Sequence, residues 1–268
     1  MGGVIEVGSA PEDTTTTGYP VLVVPGYGGP AFQTELVAKN LRSSGFSTIS
    51  LKLPWMAMGD MTRSAGVLAE QVDRLRDILG HEKVNIFGYS LGGLVARYYL
   101  QEMDGYPMLG RGAFVSTPNR GTYIGYLGFF SAAGRQVRPG SPFIRAINES
   151  TACELLAGRC LSMFVRWDGV IVPTLSSYVP FGYNLLLDRP ILHWRATTSA
   201  AVIRLASEFL AGGLPDGALQ GKELGMLEAG ELVPVTLSMG RAPGRRFWQA
   251  FSRPFRSVGG FFASMFRR

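Results

Sequence analysis

The chain has 268 residues, 46% of them hydrophobic, with 35 glycines, two cysteines, two histidines and a net charge of +6. That is enough apolar material for one large α/β domain or two small ones, and it excludes a disordered or fibrous chain. No window approaches the roughly 20 uninterrupted apolar residues of a membrane-spanning helix. The positive charge is also localised: seven arginines and no acid lie from Arg241 onward, leaving 19 of the 26 basic residues against 20 acidic ones elsewhere. The body therefore offers no electrostatic case for nucleic-acid binding.

The first 18 residues form a polar, threonine-rich leader without the basic start and apolar core of a secretion signal, so the chain reads as cytoplasmic. The domain itself is expected over 19–240. Val21 to Val24 in "YPVLVVPGYGG" is a buried strand that ends in a glycine-rich turn. A helix follows in "FQTELVAKNLRSSGF", then a strand in "STISLKL". In "SAGVLAEQVDRLRDILG", Leu68, Val72, Leu75 and Leu79 recur at helical spacing, with Gly80 as the stop. Val84 to Phe87 is the third strand, "LGGLVARYYLQEM" the helix behind it, and "GRGAFVST" a further short strand. Strands that are continuous apolar runs and alternate with helices indicate a mostly parallel sheet covered on both faces.

Regularity weakens over about 121–160, which is rich in glycine, serine and aromatic residues; this stretch is either an insertion placed over a site as a lid or an ordinary irregular connection. Cys153 and Cys160 lie there, seven positions apart. They either close a short disulfide loop in an oxidising compartment or remain free, and with no histidine nearby they form no zinc site. The strand pattern resumes in "LSMFVRW" and "NLLLDR", a closing helix in "SAAVIRLASEFLAG", and a short strand is expected in "ELVPVTL".

Gly88-Tyr89-Ser90-Leu91-Gly92 fits G-x-S-x-G between a strand and a helix, the context in which a strained turn presents a nucleophilic serine at the carboxyl edge of a sheet. A glycine two residues either side is required because a side chain there would strike neighbouring backbone. A serine hydroxyl needs a base. His81 sits at the wrong end of the strand leading to Ser90, so His193, on a loop before the last helix, is the candidate. The base needs a buried carboxylate, and Asp168, directly off the end of an apolar strand, is preferred over Asp188, which lies inside a strand pattern five residues from His193. The Leu91 amide and the Tyr27 amide in the first glycine-rich turn are the expected oxyanion donors.

Taken in order, Pro25 to Gly29, Gly88 to Gly93, Thr117-Pro118-Asn119-Arg120-Gly121-Thr122, Asp168 and His193 resemble the α/β-hydrolases of the bacterial lipase and esterase type, over roughly 19–210. Many relatives carry histidine where Asn119 stands. The resemblance implies an α/β-hydrolase fold and hydrolysis of carboxylic esters, often of lipids, through an acyl-enzyme, with no metal and no organic cofactor. Acyl transfer to another alcohol would use the same acyl-enzyme, and a non-catalytic, membrane-associated binding protein on this scaffold is the rival from another class. The tail, 241–268, interleaves arginine with Phe247, Trp248, Phe251 and Phe255, a composition suited to peripheral contact with an anionic membrane. The aromatic run "YIGYLGFF" is expected to line an acyl pocket or lid.

Overall fold

A computed structural model describes residues 18–80, 82–188 and 193–222. The leader up to residue 17, His81, the expected strand in "ELVPVTL" and the basic aromatic tail lie outside these.

In chain order the elements are β1 (Val21–Val24), α1 (Ala31–Arg42), β2 (Thr48–Ser50), α2 (Met61–Leu79), β3 (Val84–Tyr89), α3 (Leu91–Glu102), β4 (Leu109–Val115), α4 (Ala132–Gln136), α5 (Pro142–Glu149), β5 (Cys160–Val165), β6 (Tyr183–Leu187), α6 (Ala200–Leu210) and β7 (Leu219–Gln220). They build one sheet in the order β2-β1-β3-β4-β5-β6-β7, parallel except where β7 runs against β6. The chain leaves β1 toward β2 and returns on the other side as β3. The connections therefore diverge at the carboxyl ends of β1 and β3, the place where open α/β sheets form their sites.

The strands β1, β3 and β5 are buried on both faces, as their unbroken apolar runs require. On one face Leu22, Val24, Ile86 and Phe114 join a core with Leu68 and Val72 of α2 and Leu94 and Val95 of α3. The alternate residues Val23 and Phe87 meet Thr34 and Val37 of α1 on the other face, where α1 also packs against α6. Side chains that alternate along a strand thus find a helix in either direction.

Two differences from the sequence reading have local causes. The second strand is three residues long rather than seven: Leu51 makes a last sheet bond, to the Val23 carbonyl, and Pro54 then opens a 3-10 turn. Helix α2 starts at Met61, ahead of the periodic stretch, because the Asp60 carboxylate caps the Thr62 amide at 2.8 Å. Between β4 and β5 the chain is not structureless. A 3-10 turn over Tyr123–Tyr126, then α4 and α5, fill it, each begun by a side-chain oxygen of Thr122, Ser131 or Ser141 that accepts a backbone N–H. The Ser141-Pro142 pair starts α5 in the way expected of a capping serine followed by a proline at the first helical position.

Candidate active site

Ser90 is the hinge between β3 and α3. Its backbone takes φ +52° and ψ −123°, a conformation that costs a non-glycine residue on the order of 1–3 kcal/mol. The surroundings hold it there: the Ser90 amide donates to the Val115 carbonyl at 2.9 Å, and the Gly93 amide to the Ser90 carbonyl at 3.2 Å. The flanking glycines are sterically required. A Cβ on Gly88 would lie 2.7 Å from the Gly93 Cα, and one on Gly92 would collide with the Val24 carbonyl oxygen and lie 2.6 Å from that of Pro25. The start of α3 is therefore pressed directly against the turn after β1.

Three side chains far apart in sequence meet at this edge. His193 Nε2 is 2.9 Å from Ser90 Oγ, and His193 Nδ1 is 2.8 Å from Asp168 Oδ2 and 3.0 Å from Oδ1. Asp168 is 5% exposed, and its Oδ1 also accepts the amides of Val170 and Ile171 at 2.9 and 3.0 Å. Burial pushes this carboxyl up, but the hydrogen bond and charge of His193 and the two amides outweigh it. The group titrates below the ordinary aspartate value and is a carboxylate at neutral pH. Asp188 lies away from this cluster and pairs at its exposed surface with Arg166 at 3.6 Å.

Among the described residues the Tyr27 and Leu91 amides make no hydrogen bond, and both residues border the same cavity as Ser90 and His193. Their turn is fixed from outside. The Gly28 amide donates to the Met56 carbonyl at 2.8 Å, and the Tyr27 hydroxyl donates to Ser131 Oγ at 3.0 Å. Neither contact follows from local sequence, since Met56 lies on the 3-10 turn after β2 and Ser131 caps α4.

The cavity holds about 530 Å³ and is lined by Ile124, Leu127, Phe130, Val137, Ile171 and Trp194, together with the glycine turn, Ser90 and His193. Among the described residues no Asp, Glu, Lys or Arg lines it. Of its lining, Leu127, Phe130 and Trp194 are also exposed, as are Tyr123, Tyr126 and Phe129 in the same chain segment as Leu127 and Phe130. Among the described residues no group of three His, Cys, Asp or Glu side chains is placed to hold a metal ion, and no helix is long and apolar enough to cross a membrane.

Behind the site lies an arrangement that no motif announced. Arg97 of α3 is fully buried without a carboxylate among the described residues; it donates to Gln101 Oε1, the Asn119 carbonyl, the Ile147 carbonyl and Asn148 Oδ1, and lies 5.1 Å from the Phe181 ring centre. Burial lowers its guanidinium to about 10. Asn119 is buried in that network, its amide donating to the Ser177 carbonyl at 2.6 Å, and does not line the cavity. Cys153 and Cys160 carry separate thiols beside it; burial pushes that of Cys160 up to about 12.

The seven-stranded sheet and the strand-turn-helix geometry at Ser90 are those of the α/β-hydrolase fold. A family profile described as the alpha/beta hydrolase fold matches residues 19–106, from the start of β1 to just past α3. Lipase B of Aspergillus fumigatus superposes with a TM-score of 0.67 at 16% identity, over 77% of this chain and 56% of that one. The mature lipase BlEst2 of Bacillus licheniformis superposes with a TM-score of 0.64, also at 16% identity, over 76% of this chain and 96% of that one. The chain thus spans little more than half the length of the fungal enzyme.

Proposed function

We propose that the chain is a serine hydrolase that cleaves carboxylic esters, acting on lipid acyl esters. The observation that carries this reading is the relay from Ser90 Oγ to His193 Nε2 at 2.9 Å and from His193 Nδ1 to Asp168 at 2.8 Å. Ser90 attacks the ester carbonyl as its proton passes to Nε2. The tetrahedral oxyanion is held by the Tyr27 and Leu91 amides, and expulsion of the alcohol takes the proton back from Nε2. Water, deprotonated by the same nitrogen, then attacks the acyl-Ser90 ester, releasing the acid and restoring the hydroxyl. Asp168 keeps Nδ1 protonated and offsets the imidazolium charge.

The substrate class follows from the cavity. The described wall residues include no charged side chain that would offset the desolvation of a charged acyl group. The aliphatic and aromatic walls suit a hydrocarbon chain. The segment 121–160, which supplies Ile124, Leu127, Phe130 and Val137, acts in this reading as a cap over the acyl site.

The test is labelling with a fluorophosphonate probe alongside hydrolysis of p-nitrophenyl butyrate, comparing wild type with Ser90→Ala. The wild type should label and turn over and the variant do neither; equal labelling of both removes Ser90 from this role.

A further inference from the structure

Asp168 orients the ring of His193, but a ring is only as well placed as the backbone that carries it. Two side chains grip that backbone. The Tyr89 hydroxyl donates to the His193 carbonyl at 2.9 Å, and the Tyr89 ring lies 5.1 Å from the imidazole, inclined by 36°. One residue on, Gln33 Nε2 donates to the Trp194 carbonyl at 3.1 Å and to Thr197 Oγ1 at 3.2 Å. Consecutive carbonyls of the His193 segment are thus tied to β3 and to α1.

Tyr89 has a particular leverage because it is joined to Ser90 by one peptide bond. Its hydroxyl bond closes a short ring of contacts, from Ser90 Oγ through the imidazole and the His193 carbonyl back to Tyr89, that sets the separation of hydroxyl and base. Its flank also meets the turn after β1: a Cβ on Gly26 would lie 3.0 Å from Tyr89 Cδ1 and 2.9 Å from Ser90 Cβ. One side chain therefore touches the base-bearing segment and the oxyanion turn while adjoining the nucleophile. Burial, and then the Asp168 charge, raise the Tyr89 phenol above its ordinary value, so it remains a donor throughout the working pH range.

We propose that Tyr89, seconded by Gln33, is a positioning residue that holds the backbone of His193 so that Nε2 stays within hydrogen-bonding distance of Ser90 Oγ. This rests on the ester-hydrolase reading above. A shift of about 1 Å in a reacting group can cost on the order of a hundredfold in rate, and one lost tether of two should cost about a tenth of that factor.

The experiment measures Tyr89→Phe, Gln33→Leu and the double variant below their melting temperatures, with Ser90→Ala as the blank. For Tyr89→Phe, kcat on p-nitrophenyl butyrate should fall about tenfold, or about 1.4 kcal/mol of barrier, with KM unchanged within twofold and fluorophosphonate labelling slowed by the same factor. A role confined to packing would lower the melting temperature and leave kcat of the folded enzyme alone. Because both tethers hold one segment, the double variant should lose more than the product of the single losses. If Tyr89→Phe does not fold, Gln33→Leu decides: a threefold or greater fall in kcat at constant KM supports the proposal. Wild-type labelling with unchanged kcat in the folded variants, or a loss confined to KM, overturns the positioning role and leaves the hydrolase reading standing. A wild type that does not label at Ser90 overturns both.

Discussion

Gly92→Ala is the sharpest test of how the elbow is built. In the native structure the added methyl would meet the Val24 carbonyl oxygen and lie 2.6 Å from the Pro25 oxygen and 2.8 Å from the Val24 carbonyl carbon. All three are backbone atoms of β1 and its turn, so no side-chain rotation relieves the clash. Either the first turn of α3 or the Tyr27 turn must retreat by about 1 Å, and the two carry the Leu91 and Tyr27 amides. A displacement of that size is expected to cost about a hundredfold in kcat, with a further overpacking penalty of about 1–3 kcal/mol in stability. The control is Gly66→Ala on α2, where the added methyl has nothing within 4 Å. Alanine is favoured over glycine by about 1 kcal/mol in a helix interior, so this variant should melt higher with kcat unchanged. Ester turnover and thermal melts of both proteins check the pair. A Gly92→Ala enzyme with wild-type kcat and melting temperature would refute the claim that contact with the β1 turn is what places the amides.

Two further outcomes follow from the site. Asp168→Asn should lower kcat by about 10⁴, with the fold retained. Because the Asp168 carboxyl titrates below its unfolded value, its charge stabilises the folded state fully above about pH 4. That contribution disappears as pH falls through the lowered folded value. The melting-temperature gap between wild type and Asp168→Asn should therefore be constant near neutrality and shrink under acid; a gap that widens under acid contradicts the assignment. Phe130→Ser should raise KM for decanoate esters about fivefold, as expected from loss of about 40 Å² of apolar contact at roughly 25 cal/mol per Å², and leave butyrate esters unaffected. An equal change for both chain lengths would show that the 121–160 segment does not contact the acyl chain.

The parts of the site legible in sequence are those set by local backbone requirements. The glycines around Ser90 are dictated by atoms within a few residues of the turn or on the adjoining strand, and so appear as a fixed spacing. The mostly parallel sheet covered by helices is legible as alternation of apolar strand and amphipathic helix, whereas the strand order and the two-residue β7, Leu219–Gln220, depend on pairings that no local pattern announces. His193 emerged because the chain holds only two histidines, which is a fact of composition rather than of geometry. The contacts that brace these groups left no such trace. Tyr89 and His193 are separated by 104 positions, and Gln33 and Trp194 by 161. A tyrosine inside a strand and a glutamine on a helix carry nothing in their neighbours that indicates a distant carbonyl. Arg97 reads in sequence as one charge on a helix, yet among the described residues it is the largest fully buried side chain.

That burial has a structural consequence for the 121–160 segment. Arg97 and Gln101 both donate to the Ile147 carbonyl of α5, at 2.7 Å each, while Asn148 donates to the Asn119 carbonyl at 2.9 Å. The same Asn119 carbonyl receives Arg97 Nη1. The far end of the 121–160 segment is thus fastened to α3, the helix that Ser90 begins, and its near end is held by the Tyr27 hydroxyl bonded to Ser131. Leaving any of these buried acceptors unpaired would cost on the order of 1–3 kcal/mol. Both fastenings end on elements next to Ser90, so movement of α3 or of the β1 turn would be felt in the 121–160 segment and at Ser90 together. This is the physical reason that the Ser90 turn, the Tyr27 turn and the 121–160 segment should respond as one unit to a substitution such as Gly92→Ala.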